Sequence, residues 1–265
     1  MARFDPTSPV VLPVPATATI QVHADLAYAH LHERTLLLDV YAPSDQIPAS
    51  GWPAVLLVHG NTEPTLLRGV RGWGQYTSWG RLLAASGLVA VVAEHRSFDE
   101  APAPQLADEV DAALGYVRAH AVKFGIDVDR LAVFGISAGV PLAVGAIASA
   151  ADRSVQCAVA YYGYLDTPAD LAQDTGLARL SALAQLRMGT WLPPLLVVRA
   201  GSDRPELNRS IDAFTAEALA HNLAVEVINY PQGHHGFDVS DDTDQSRRII
   251  RHTLGFLQER LHEAV

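Results

Sequence analysis

The sequence predicts an α/β fold: a mostly parallel sheet of eight strands with helices on both faces, three layers in all, and at most a small cap. Three observations predict it. After residue 41, apolar strand-like runs alternate with segments of helical spacing, the pattern of a parallel sheet joined by crossover helices. The run at 54–58 is continuously apolar, as a strand covered on both faces is. Glycines stand where helices should stop, at Gly87 and Gly125.

In chain order, residues 1 to about 18 are rich in Pro and Thr and form an irregular leader to a single domain spanning 1–265. Strand-like segments follow at 20–28 and 35–41, then the buried strand 54–58. A helix at 75–86 ends at Gly87, and 88–93 is the next strand. Leu106, Val110, Leu114, Val117 and Phe124 keep helical spacing up to Gly125. Strand 131–134, helix 138–150 and strand 155–161 come next. A weakly patterned stretch runs to Trp191, within which 166–190 forms either a small cap or a crossover helix. Strand 194–200, helix 205–221 and strand 224–230 follow, and Ile250, Leu254, Leu257 and Leu261 share one face of the final helix.

Composition narrows the function classes. With 49% hydrophobic and 18% charged residues, the 265-residue chain suits a packed domain. The net charge of -10, with no basic block, argues against nucleic acid and anionic membranes as partners. Lys123 is the one lysine and falls late in a predicted surface helix, which disfavours Ser-Lys or Schiff-base chemistry. Cys157, the one cysteine, allows no internal disulfide and reads as a buried, inert thiol. The first ten residues lack the apolar region of a signal peptide, and the small-residue stretch 139–151 is too short to span a bilayer. A cytoplasmic protein is expected. His30 and His32 would share a strand face, but no further ligands or H-E-x-x-H accompany them, and Gly72-Trp73-Gly74 follows no strand. No metal and no cofactor are expected.

Catalytic groups in such a sheet gather beyond the carboxyl ends of the strands. There, Gly135-Ile136-Ser137-Ala138-Gly139 matches G-x-S-x-G between a buried strand and a helix, the setting of a nucleophile elbow. Ser137 is the candidate nucleophile; a plain N-cap serine is the bland alternative. Pro141 falls in the first helical turn, where a missing N–H is harmless. A serine hydroxyl needs a base, and the loop after the last strand offers two histidines, His234 and His235. The orienting acid should end an earlier strand. Asp203, directly after strand 194–200, fits, although it also suits a helix N-cap; Asp238 and Asp166 are the reserves. His59-Gly60-Asn61 follows strand 54–58, so the backbone N–H groups of Asn61 and Ala138 are the expected oxyanion donors. His59 is expected to order that loop. The expected pocket lining includes Trp73, Tyr76, Tyr162 and Ile136, from a wider aromatic set with Trp79, Tyr161, Tyr164 and Trp191, about half of it packing inward. Arg68 and Arg71 read as solvated surface residues.

Six ordered pieces carry a family resemblance: LDVYAP at 38–43, VHG at 58–60, GIDVDRLAVFGISAG at 125–139, AYYG at 160–163, AGSD at 200–203 and HHGF at 234–237. From about Ile20 onward the chain resembles the α/β-hydrolase superfamily, near its carboxylesterase, dienelactone-hydrolase-like and feruloyl-esterase-like branches. The resemblance implies a three-layer α/β-hydrolase fold with Ser137, Asp203 and His235 as nucleophile, acid and base, His-Gly-Phe being the form this loop takes in that superfamily. It implies hydrolysis of carboxylic esters of small to medium acyl or alcohol groups through an acyl-enzyme. Two departures stand out: Asn61-Thr62 replaces the glycines of a His-Gly-Gly-Gly loop, and serine replaces the dienelactone hydrolase cysteine. Rival readings are an amidase or peptidase with the same triad, or a non-catalytic ligand-binding protein on this fold. A homodimer is compatible with the sequence.

Overall fold

A computed structural model describes residues 5–31, 34–150, 154–166 and 180–262. The strands are β1 (Ile20–Leu31), β2 (Arg34–Pro43), β3 (Trp52–Val58), β4 (Val89–Ala93), β5 (Ile126–Ile136), β6 (Val155–Tyr161), β7 (Leu195–Ala200) and β8 (Val225–Tyr230). The helices are α1 (Pro64–Leu67), α2 (Gly74–Ala85), α3 (Ala103–Ala119), α4 (Ala121–Phe124), α5 (Gly139–Ala150), α6 (Ala182–Arg187), α7 (Pro205–Ala220), α8 (Phe237–Ser240) and α9 (Asp244–His262). The strands form one sheet, eight-stranded as the sequence predicts, in the order β1-β2-β4-β3-β5-β6-β7-β8. The β1/β2 and β2/β4 pairs are antiparallel and the others parallel.

Strand alternation sorts the core into two halves. In β3, Ala54, Leu56 and Val58 face the layer that contains α3, α5, α6 and α7, while Val55 and Leu57 face α2 and α9. A strand buried on both sides must be apolar at every position, hence the continuous run in the sequence. The chain leaves β3 towards β4 and leaves β5 in the opposite direction towards β6. The carboxyl ends of β3 and β5 therefore flank the point where the connections diverge, the place where a parallel sheet opens a crevice. Register pairs Val58 with Gly135 there, so the chain beyond each strand emerges side by side.

Several expectations shift in detail. The helix expected to run unbroken to Phe124 stops at His120, whose backbone leaves the helical region and whose Nδ1 meets the Tyr116 carbonyl at 2.9 Å. α4 then ends at Gly125, which takes φ +64°. β5 begins earlier than predicted because Ile126 pairs with Trp52. Its first residues lack alternation, and Asp127 instead folds onto Arg130 at 2.8 Å. The leader has no regular elements from residue 5 to 19 but is docked: Val10 and Leu12 are buried beside α2 and α9. The cap-or-crossover question for 166–190 falls mostly on 167–179, outside the described residues, as does His32. Arg71 corrects the surface reading. Its side chain is only 12% exposed and forms ion pairs with Asp39, Asp25 and Glu94. Arg68 is exposed, near Glu100. Among the described residues, no helix is long and apolar enough to cross a membrane.

Candidate active site

The turn from β5 into α5 carries Ser137 at φ +55°, a left-handed conformation that costs a non-glycine residue energy and is stored where the surroundings enforce it. The enforcement is visible. Ser137 N–H donates to the Tyr161 carbonyl at 2.9 Å, and its own carbonyl accepts from Val140 N–H at 3.0 Å. Only glycine lets the turn close. A Cβ on Gly139 would lie 2.2 Å from the Val58 carbonyl oxygen, and one on Gly135 2.7 Å from Val140 Cα. The spacing of the G-x-S-x-G string is thus a steric requirement of strand and helix packed at contact distance.

The hydroxyl does not cap the helix. Ser137 Oγ lies 2.8 Å from His235 Nε2, and His235 Nδ1 lies 2.6 Å from Asp203 Oδ2. Asp203 follows β7, and its other oxygen accepts the Arg204 N–H at 2.7 Å; no side chain caps α7. The Asp203 side chain is 3% exposed and that of His235 36%, so the acid is sequestered while the imidazole reaches the crevice. With Nδ1–H donated to Asp203, Nε2 is left as the acceptor for the serine proton. Such a chain can draw the proton from the hydroxyl as the oxygen attacks an electrophile.

The competing side chains are placed elsewhere. His234 turns outward, its N–H and Nδ1 both on Asp241, at 2.8 and 3.2 Å. Asp166 accepts from Ser181 Oγ at 3.0 Å. Asp238 is fully buried and accepts from Tyr162 Oη (2.5 Å), Trp79 Nε1 (2.8 Å) and Gln75 Nε2 (2.9 Å).

The loop after β3 stands over the nucleophile: a Cβ on Gly60 would lie 3.1 Å from Ser137 Cβ. Gly60 N–H donates to Tyr76 Oη at 3.0 Å. The N–H groups of Asn61 and Ala138 donate to no protein acceptor among the described residues. Asn61 contributes its side chain to the architecture, Oδ1 accepting from Phe98 N–H at 3.0 Å. His59 is buried beneath the loop, bonded through Nδ1 to the Gly60 carbonyl at 2.6 Å and accepting His95 N–H on Nε2 at 3.0 Å. Burial holds its pKa well below the ordinary histidine value, with His95 adding to the effect.

Of the residues expected to line the pocket, Trp73 is half-buried, whereas Tyr76, Tyr162 and Ile136 lie within the core. Tyr76 supports the Gly60 loop, and the Tyr162 ring stands edge-on to His235 at 4.8 Å between centroids. Trp79 and Tyr161 are also buried, while Tyr164 and Trp191 are not. Burial of Tyr76, Tyr161 and Tyr162 raises each phenol pKa, with Asp238 adding to each. Sequence reasoning missed His95 and Gln75. His95 carried a usable signal, its place at the carboxyl end of β4; nothing in the pattern around Gln75 marked it.

Comparison with known proteins adds to this geometry. The BD-FAE family model matches residues 38–170, from within β2 through the elbow and beyond the end of β6. Human Carboxylesterase 3 is 32% identical over 148 residues, 51% of this chain and 24% of that protein. The chain thus spans about a quarter of the length of this curated relative. Among solved structures, an esterase from Rhizomucor miehei superposes with a TM-score of 0.72 at 20% identity, covering 96% of this chain and 87% of that one. An esterase from Pyrobaculum calidifontis superposes with a TM-score of 0.70 at 21% identity, covering 91% and 85%. These likenesses establish the α/β-hydrolase fold.

Proposed function

Since the chain belongs to the BD-FAE family, we propose that it is a carboxylic ester hydrolase in which Ser137, His235 and Asp203 act as a catalytic triad on small ester substrates. The observation that carries this reading is the continuous chain Asp203 Oδ2–His235 Nδ1, His235 Nε2–Ser137 Oγ, at 2.6 and 2.8 Å.

In this mechanism Ser137 Oγ attacks the ester carbonyl while His235 Nε2 takes the hydroxyl proton. Asp203 holds the imidazole in the required tautomer and stabilises the imidazolium that forms. The tetrahedral oxygen anion is held by the N–H groups of Asn61 and Ala138, the second at the start of α5, where the helix dipole also favours negative charge. His235 then delivers its proton to the departing alcohol, leaving an acyl-Ser137 ester. Water, deprotonated by the same imidazole, releases the acid and restores the serine. The esterase names of the structural neighbours and the carboxylesterase relative support ester rather than another acyl substrate.

The test is hydrolysis of p-nitrophenyl esters from acetate to decanoate by wild type and Ser137→Ala, with fluorophosphonate labelling alongside. Labelling and turnover confined to the wild type are expected. Equal turnover in both proteins would remove Ser137 from the mechanism. Labelling without ester turnover would point to an amide substrate.

A further inference from the structure

We propose that Asp238 is a positioning residue for His235, a buried carboxylate that fixes the loop on which the imidazole is mounted; this rests on His235 being the base. Two residues, Gly236 and Phe237, separate the two, and Gly236, at φ +76°, reverses the chain between them. The reversal brings both side chains to the same tyrosine. His235 meets the edge of the Tyr162 ring, and Asp238 Oδ1 accepts the Tyr162 hydroxyl at 2.5 Å.

Among the described residues Asp238 has no cationic partner, although it is fully buried. A buried carboxylate is tolerated only when its lone pairs are satisfied, and here the satisfaction comes from two other elements. Trp79 Nε1 and Gln75 Nε2 of α2, groups that can only donate, both reach Oδ2, at 2.8 and 2.9 Å. The same Gln75 nitrogen donates to Tyr162 Oη at 3.1 Å, which leaves the phenol proton for Oδ1. The backbone is held too, since the Asp238 carbonyl accepts Val11 N–H of the leader at 2.7 Å. Three donors converging on one side chain need an acceptor-only group. Asparagine would turn an N–H₂ towards a donor. Tyr162 is itself anchored, at φ +37° with its N–H on the Val198 carbonyl at 2.9 Å. The loop is therefore clamped immediately after the imidazole.

Tyr162 thus links the buried carboxylate to the imidazole through a single side chain. The other groups facing that ring are Ser137 from the elbow and Asp203 from the end of β7, with Arg204 beside Asp203 and the His234–Asp241 pair on the same loop.

Asp238→Asn and Tyr162→Phe test the proposal. Histidine ring NMR of the unliganded protein at one fixed pH, with the His235 signals identified by their loss in His235→Gln, is recorded together with p-nitrophenyl butyrate kinetics. In Asp238→Asn, the His235 ring signals are expected to move and broaden as the imidazole loses its fixed orientation, with kcat down roughly ten- to a hundredfold and KM within about twofold. Tyr162→Phe keeps the ring against His235 and is expected to show the same changes to a smaller degree; it decides the matter if Asp238→Asn fails to fold. A folded variant with wild-type His235 ring signals and wild-type kcat overturns the proposal. So does a loss of activity explained wholly by fewer labelled sites, each turning over at the wild-type rate. If wild type hydrolyses no ester, the esterase reading fails, while the NMR comparison still decides the role of Asp238.

Discussion

The rings of His59 and His95 stack face to face, 3.7 Å between centroids and 7° from parallel. His95 N–H donates to His59 Nε2, so His59 carries its proton on Nδ1 and gives it to the Gly60 carbonyl. His95 in turn sets Nε2 against the His59 carbonyl at 3.0 Å. The loop over Ser137 therefore rests on two buried imidazoles. Burial lowers the pKa of both. In the unfolded chain each titrates near its ordinary value of about 6.5, so below that pH the unfolded state binds more protons than the folded one. The histidine contribution to stability is complete above about pH 6.5 and is lost as pH falls towards the depressed folded values. Thermal unfolding at pH 7.5 and 5.5 should show a lower midpoint at the acid pH, and His59→Gln should flatten that slope. An equal slope in the variant would show that His59 is not responsible.

The two neighbouring histidines should separate sharply. His235→Ala is expected to cost on the order of 10⁴-fold or more in kcat, since a triad without its base keeps only binding and oxyanion stabilisation. His234→Ala loses an exposed contact with Asp241 and should stay within a few-fold of wild type. Steady-state kinetics on p-nitrophenyl butyrate distinguishes them, and comparable losses would contradict the placement of His235 on Ser137.

Gly139→Ala should be worse for activity than its size suggests. The added methyl meets backbone, the Val58 and His59 carbonyl oxygens at 2.2 and 2.5 Å, and backbone cannot swing aside as a side chain can. Either α5 moves away from β3, dragging Ser137 off His235, or the chain does not fold. The expectation is at least a hundredfold loss of fluorophosphonate labelling rate. Labelling at the wild-type rate would falsify it.

Arg71→Met tests the ion cluster. Asp39 and Glu94 are both nearly inaccessible around the guanidinium, and burial already raises the Glu94 pKa despite Arg71 and Arg34. Removing the cation strands two carboxylates, at a cost of about 3 kcal/mol. Urea denaturation should show this loss at pH 7 and a smaller one near pH 5, where Glu94 takes up a proton more readily. A substitution as mild as a surface change would mean that solvent reaches the cluster.

Deleting residues 1–12 removes Val10 and Leu12 from the core together with three hydrogen bonds: Gly74 N–H to the Pro6 carbonyl (2.7 Å), Val10 N–H to Ser78 Oγ (2.8 Å) and Val11 N–H to the Asp238 carbonyl. Burial of the two side chains is worth about 3 kcal/mol. The melting temperature should fall, and kcat should fall with it, because one of the three bonds lies three residues from His235. Unchanged kcat in a destabilised deletion would confine the leader to stability.

Much of the molecule is legible in one dimension because its causes are local. Continuous apolar runs such as 54–58 belong to strands covered on both faces, helical spacing at Leu106, Val110 and Leu114 belongs to a helix packed on one, and the glycines about Ser137 mark a turn that no side chain may crowd. From these the mostly parallel sheet, the alternation of its strands and helices along the chain and the carboxyl-end location of Ser137, Asp203 and the histidine pair follow from sequence by itself. What the tertiary structure decided are choices among like residues. His235 rather than His234 faces Ser137, Asp203 rather than Asp238 meets the imidazole, Tyr76 and Tyr162 are buried supports, and Arg71 is enclosed by three carboxylates. Each of these turns on which donor and which acceptor arrive at the same place from distant parts of the chain, such as Gln75 and Trp79 at Asp238. Periodicity records which face of an element is apolar. It does not record where a loop side chain points, because that direction is set by backbone angles such as those of Gly236 and by partners more than 150 residues away.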